Sequence, residues 1–190
     1  MGDSNILKTF FESAEKVGFF NVSYAALAQI LHIEEDCLHE EFPDRVDFLK
    51  ALHGEIEDTL LNNFQEDPSD MSMKDKLFDL LMLRIEALEP YRQGVSRFIQ
   101  ESEKSPLELK FLPIVTGIVP LMLKGMENLL ISLNGEGQIF TQKNRAVGLL
   151  IVYVLVLHTW AEDKTLDLSK TMHALDRYLG LFTEQFGENL

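Results

Sequence analysis

"SYAALAQILHIEEDCLHEEFPDRVDFLKAL", residues 23 to 52, holds three helical signals and two breaks in one short stretch. Ser23 offers a side-chain oxygen to the unpaired amides of a helix that begins at once as YAALAQIL. His32 and Ile33 form a short turn, and Glu34 to Glu41 predicts another short helix. Phe42 and Pro43 end it, because the residue before a proline is pushed out of helical backbone geometry. Asp44 then caps a longer helix with Phe48, Leu49, Leu52, Ile56 and Leu60 along one apolar stripe. Helix, tight turn, helix and long helix make a helix-turn-helix module, and no alternating strand pattern competes with it.

Upstream, Ile6, Phe10, Ala14 and Val17 recur at helical spacing and Gly18 stops the run, so four helices are complete by residue 64. Downstream, the polar QEDPSDMS (65 to 72) marks a boundary between a module at residues 1–64 and a larger helical domain at residues 65–190. Ser72 and Asp75 form a capping pair for a helix with Leu77, Leu80, Leu81, Arg84, Ile85 and Leu88 inward, and Pro90 ends it or starts the next. SPLE (105 to 108) reads as a helix start, with Ser105 as cap and Pro106 at the first position. Pro113 and Pro120 should break or kink the apolar segment that contains them, and NGEGQ (134 to 138) is a loop.

The last two helices carry the assembly signal. Leu168, Met172, Leu175, Leu179, Phe182 and Phe186 are spaced 4, 3, 4, 3 and 4, the repeat of a helix packed along another. The preceding helix has two apolar rows: Val147, Ile151, Val154 and His158, and separately Leu149, Tyr153, Val156 and Trp160. A helix apolar on two sides is sandwiched, here between its own domain and a second copy. We therefore expect a homodimer through Val147, Ile151, Val154, His158, Leu168, Met172, Leu175, Leu179 and Phe182 in a four-helix arrangement. His158 is expected as a buried polar group at that seam.

Composition bounds the partners. With 46% hydrophobic and 25% charged residues the chain belongs with globular proteins. The single Cys37 has no intrachain partner and no signal peptide is evident, so a cytoplasmic location is expected. Residues 146–161 and 111–123 are charge-free, but runs of 16 and 13 residues fall short of a spanning helix and read as buried core helices. Contact with a membrane surface stays open.

Ala14, Gly18 and Phe19, then Ala28, Ile33 and Leu38, then Phe42, Asp44, Phe48 and Leu49 together resemble the N-terminal part of the TetR family of bacterial repressors. That resemblance covers residues 5 to 60 and implies an all-α, TetR-like fold. LRIEALEPYRQGV (83 to 95) and WAEDKTLDLSKTMHALDR (160 to 177) look like the lipid-binding accessory proteins of ubiquinone biosynthesis and their bacterial TetR-like relatives. This second resemblance implies a hydrophobic ligand and a tie to quinone or lipid metabolism.

Charge argues against the usual use of a helix-turn-helix. The net charge is −14, and residues 1 to 60 contain 13 Asp and Glu against four Lys and Arg, a balance of −9. Glu34, Glu35, Asp36, Glu40 and Glu41 crowd the expected reading helix. Phosphate binding draws its affinity from cations that displace counterions, and within a screening length of about 10 Å each unpaired acid repels the duplex. If DNA is read at all, through residues 23–42, the contacts would come from Ser23, Tyr24, Cys37, His39, Arg45 and Lys50. A basic protein partner is the other occupant such an acidic face suggests.

No catalytic pattern emerges. Asp36 with His39 and His53 with Glu57 share helix faces, but no second histidine pair completes a metal shell. Cys37 lies among carboxylates that disfavour its thiolate. NGEGQ lacks the Lys-Ser pattern of a phosphate loop, so neither metal nor cofactor is expected. The apolar Ile114, Ile118 and Met122, facing Tyr153, Val156 and Trp160, are the expected lining for an elongated hydrophobic ligand such as an acyl chain or isoprenoid, because few charges there would anchor a polar one. The sequence thus predicts a non-enzymatic, hydrophobic-ligand-binding homodimer, with two rivals: a ligand-responsive DNA-binding regulator, and an adaptor for a basic protein.

Overall fold

A computed structural model of the chain describes residues 3–63, 71–104, 108–134 and 139–186. Among these residues there is no strand. The helices are α1 (Asp3–Val17), α2 (Tyr24–Leu31), α3 (Glu35–Glu41), α4 (Arg45–Asn63), α5 (Met73–Ala87), α6 (Arg92–Lys104), α7 (Leu112–Asn134), α8 (Ile139–Glu162) and α9 (Ser169–Phe186).

Local signals set the helix ends. Gly18, at φ 93°, gives its N–H to the Ala14 carbonyl at 2.8 Å and closes α1 in a conformation that a side chain would resist. Ser23 accepts from the Ala26 N–H, and His32 ends α2 in the left-handed region, where the Ile33 N–H reaches back to Ala28 O at 3.0 Å. Asp44 and Asp47 cap α4 reciprocally: Val46 N–H donates to Asp44 Oδ1 and Asp44 N–H to Asp47 Oδ2. Ser72 receives the Asp75 N–H at the start of α5. The expected start at Ser105 and Pro106, and most of the loops at 65–72 and 134–138, lie outside the described residues.

The chain forms two compact units, Met1–Ile56 with Leu88–Val119, and Glu57–Ala87 with Pro120–Leu190. They differ from a division at residues 64 and 65, because α1 buries a face against α6 and so draws a later segment to the N-terminal helices. In the first unit Phe48 is stacked between Phe10 (3.9 Å, 10°) and Phe42 (4.2 Å, 7°), and Phe11 and Phe19 meet Phe10 edge-on at 5.3 Å. In the second, α9 packs on α8 and α5 around Leu77, Leu81, Leu149, Val156, Trp160, Leu175 and Leu179, all fully buried.

Two expectations change. Pro113 and Pro120 do not break the chain: Pro113 stands in the first turn of α7, where its missing N–H costs nothing, and the helix continues through Pro120. Burial of Ile118 before Pro120 and of Met126 and Leu130 after it outweighs one lost backbone bond. The long apolar runs are buried on one side only. Leu109–Leu133 and Lys143–Glu162 are long and apolar enough to cross a membrane by length and composition, a test that core helices also pass. Leu112 and Val115 on α7 stay 57% and 56% exposed.

The turn from α8 to α9 is organised by Asp163, a buried carboxylate. It accepts from the N–H and hydroxyl of Thr165 (2.9 and 2.6 Å) and of Thr171 (2.9 and 2.8 Å). Burial alone would raise its pKa; the four donors outweigh that and hold it well below the ordinary 3.8. A depressed carboxylate pKa stabilises the fold above pH 3.8 and loses that contribution as pH falls towards the folded value. Asp163→Ala, which strands these donors, is expected to cost about 3 kcal/mol in urea unfolding at pH 7. The difference from the natural chain should shrink below about pH 4.

Candidate functional site

The helix-turn-helix surface is built by α2 and α3, and its polar residues divide into two groups. Glu34, Glu35, Asp36, Glu40 and Glu41 are all exposed. Glu35 and Asp36 suit the positive first turn of α3, whereas Glu40 and Glu41 sit at its negative end, where acids are unfavourable. The cations nearby are engaged internally. Arg45 donates from Nη2 to the Val22 carbonyl at 2.8 Å and lies 5.6 Å from the centre of the Tyr24 ring. Lys50 pairs with Asp47 at 2.7 Å.

The six residues expected to touch DNA therefore have unequal standing. Ser23, Cys37 and His39 are exposed, with Ser23 occupied as a helix cap. His39 lies 3.6 Å from Glu35 and stacks on Tyr24 at 4.2 Å. Tyr24 is a correction: it is buried, its hydroxyl donates to the Phe42 carbonyl at 2.8 Å, and burial pushes its pKa up to about 12. It fastens α2 to the end of α3 and offers no polar group to a groove.

On α8, Val147, Ile151 and Val154 are exposed, joined by Leu155, while His158 is half-buried with Nδ1 2.7 Å from the Val154 carbonyl. This row is an apolar face that its own unit leaves uncovered. The α9 row is corrected. Leu175, Leu179 and Phe182 are 0%, 0% and 4% exposed within one chain, so they form core against α8 and α5. Leu168 precedes α9 in a left-handed conformation and, like Met172, is half-buried.

The expected ligand lining is also redistributed. Ile114 and Ile118 are buried in the first unit; Tyr153, Val156 and Trp160 are core residues of the second, and Met122 is half-buried there. None of them lines the cavity of about 150 Å³ that the second unit contains. That cavity is formed by Glu57, Leu60 and Leu61 of α4, Leu80 and Arg84 of α5, and Gly125, Asn128, Leu129 and Ser132 of α7. Arg84 Nη2 donates to Glu57 Oε1, and the guanidinium lies 5.8 Å from the centre of the Tyr153 ring. Burial lowers the pKa of Arg84 and raises that of Tyr153 to about 12. The sequence signal for this site is a single charge, Arg84, inside the inward apolar row of α5.

The order of helices, with α2 and α3 joined by a tight turn ahead of a long α4, defines an all-α, TetR-like fold with an N-terminal helix-turn-helix. Among solved structures the chain is similar to a transcriptional regulator from Rhodococcus sp. Rha1, with a TM-score of 0.56 over 97% of both chains at 14% identity. No family model and no curated protein matches the chain. Tyr24→Phe is expected to lower stability by about 1 kcal/mol through loss of the Phe42 bond. Duplex affinity, measured by fluorescence anisotropy, should not change with it.

Proposed function

We propose that the chain is a non-enzymatic binding protein for a hydrophobic molecule, in which DNA binding by the helix-turn-helix is weakened or lost. The observation that carries this reading is the charge of the α2–α3 surface: five exposed acids, with Arg45 and Lys50 already committed to Val22 and Asp47. A duplex presents phosphates on both walls of its groove, and a segment without free cations releases few counterions on approaching it. The cavity beside Arg84 supports the ligand part of the reading. The tie to ubiquinone metabolism rests on the resemblance of the stretches at 83–95 and 160–177.

The exposed α8 row supports a homodimer. Val147, Ile151, Val154 and Leu155 form an apolar strip along a helix that is firmly packed on its other side, the form of surface that two-fold pairing buries. The α9 residues take part indirectly, by fixing α8 in place.

Two measurements test these proposals. Titration of a labelled duplex pool at low salt should give weak association without sequence preference, and Glu35→Lys, Glu40→Lys and Glu41→Lys together should raise it by about tenfold or more at 50 mM salt. Nanomolar operator binding by the natural chain would overturn the reading. In sedimentation, Ile151→Glu should give folded monomers, whereas Leu175→Glu should lose its helical signal; a dimeric, folded Ile151→Glu protein would rule out the α8 seam.

A further inference from the structure

The link between α1 and α2 is held from a distance. Phe19–Asn21 form one 3-10 turn between the two helices, and Gly18, which stands before it, has no side chain with which to cap its open amides. The missing acceptor comes from α6. Glu101 Oε2 accepts the Phe19 N–H at 3.2 Å, across 82 positions of sequence. Its other oxygen accepts from Arg97 Nε at 3.2 Å, an i, i+4 pair that orients the carboxylate on α6. A backbone N–H given to an ionised carboxylate makes a stronger bond than one given to a neutral acceptor.

The two sides of this contact fit each other. A Cβ at position 18 would run into Glu101 Oε1, and the φ of 93° disfavours a side chain there in any case. Phe19 itself is 0% exposed and its ring lies 4.8 Å from that of Phe98 on α6, so withdrawing the carboxylate leaves an amide short of an acceptor beside a buried ring. The fastening of α2 and α3 to α4 is separate: Arg45 holds the Val22 carbonyl and Phe42 stacks on Phe48 without any part played by Glu101. On the α6 side the contacts are with α1 and with this turn.

We propose that Glu101 is a conformational latch. Its bond to the Phe19 N–H holds the α1–α2 link closed against α6; its release frees the link and lets α2 and α3 shift relative to α6 while they stay attached to α4. The inference is independent of the hydrophobic-ligand reading, and the surface it positions is the acidic one on α3.

The test uses the full-length protein with Glu101→Ala and Glu101→Gln, read by amide hydrogen exchange in NMR and by the distance between two spin labels. Cys37, exposed on α3 and the single cysteine of the chain, takes one label, and Gln93→Cys, at an exposed position of α6, takes the other. Labelled protein is diluted into unlabelled protein so that only distances within one chain are read. Glu101→Ala should speed exchange at the Phe19 and Asn21 amides by about tenfold or more, leave the Thr171 and Met172 amides of α9 unchanged, and broaden the distribution of distances between positions 37 and 93. Glu101→Gln, which keeps a neutral acceptor, should move both readouts in the same direction by less. Unchanged exchange at Phe19 and Asn21, a distribution as narrow as that of the natural residue, or equal acceleration at Thr171 and Met172, the mark of a general loss of stability, would each overturn the proposal. If Glu101→Ala does not fold, Glu101→Gln decides on the same readouts.

Discussion

The stacking of Phe48 between Phe10 and Phe42 is the constraint on which the helix-turn-helix surface depends. It joins α1, the end of α3 and α4 through one ring, and Tyr24 completes the arrangement by meeting Phe48 edge-on while donating to the Phe42 carbonyl. With the end of α3 held in this way, its acidic residues are left on the outside. The same packing draws Arg45 under Tyr24 and onto Val22. The helix-turn-helix geometry is thus held in part by Arg45, a cation turned onto the module's own backbone and ring.

The second unit presents a different balance. A guanidinium in an apolar core is costly to desolvate, and its pairing with a carboxylate commonly no more than offsets that cost. Leucine or methionine at position 84 would pack the row of Leu77, Leu81 and Ile85 more simply. Arg84 is nevertheless held there, its guanidinium bonded to Glu57 and lying over the Tyr153 ring, with the backbone at Gly125 packed close against the pair.

Much of the fold is legible in the sequence because its determinants are local. Ser23, Asp44 and Ser72 are caps, Gly18 is a stop, and each acts within a few residues of itself. The two rows of α8 are legible too, since periodicity separates faces. Periodicity does not say what covers a face: Leu175, Leu179 and Phe182 have the spacing of a helix seam, and the seam is the one within the chain. The cavity escapes a linear reading for a related reason. Tyr153, Val156 and Trp160 have the composition of a cavity wall and of a packed core alike, and whether space remains between side chains depends on residues far apart in sequence, such as Glu57, Arg84 and Gly125. Even so, helical spacing alone puts an arginine at an inward position of α5.

The hollow next to Arg84 opens to the surrounding water, with Leu61 standing exposed at its rim, so hydrostatic compression finds little empty space there to remove. Any occupant settling between α4, α5 and α7 has to displace solvent, and loosely held water leaving apolar walls favours its entry.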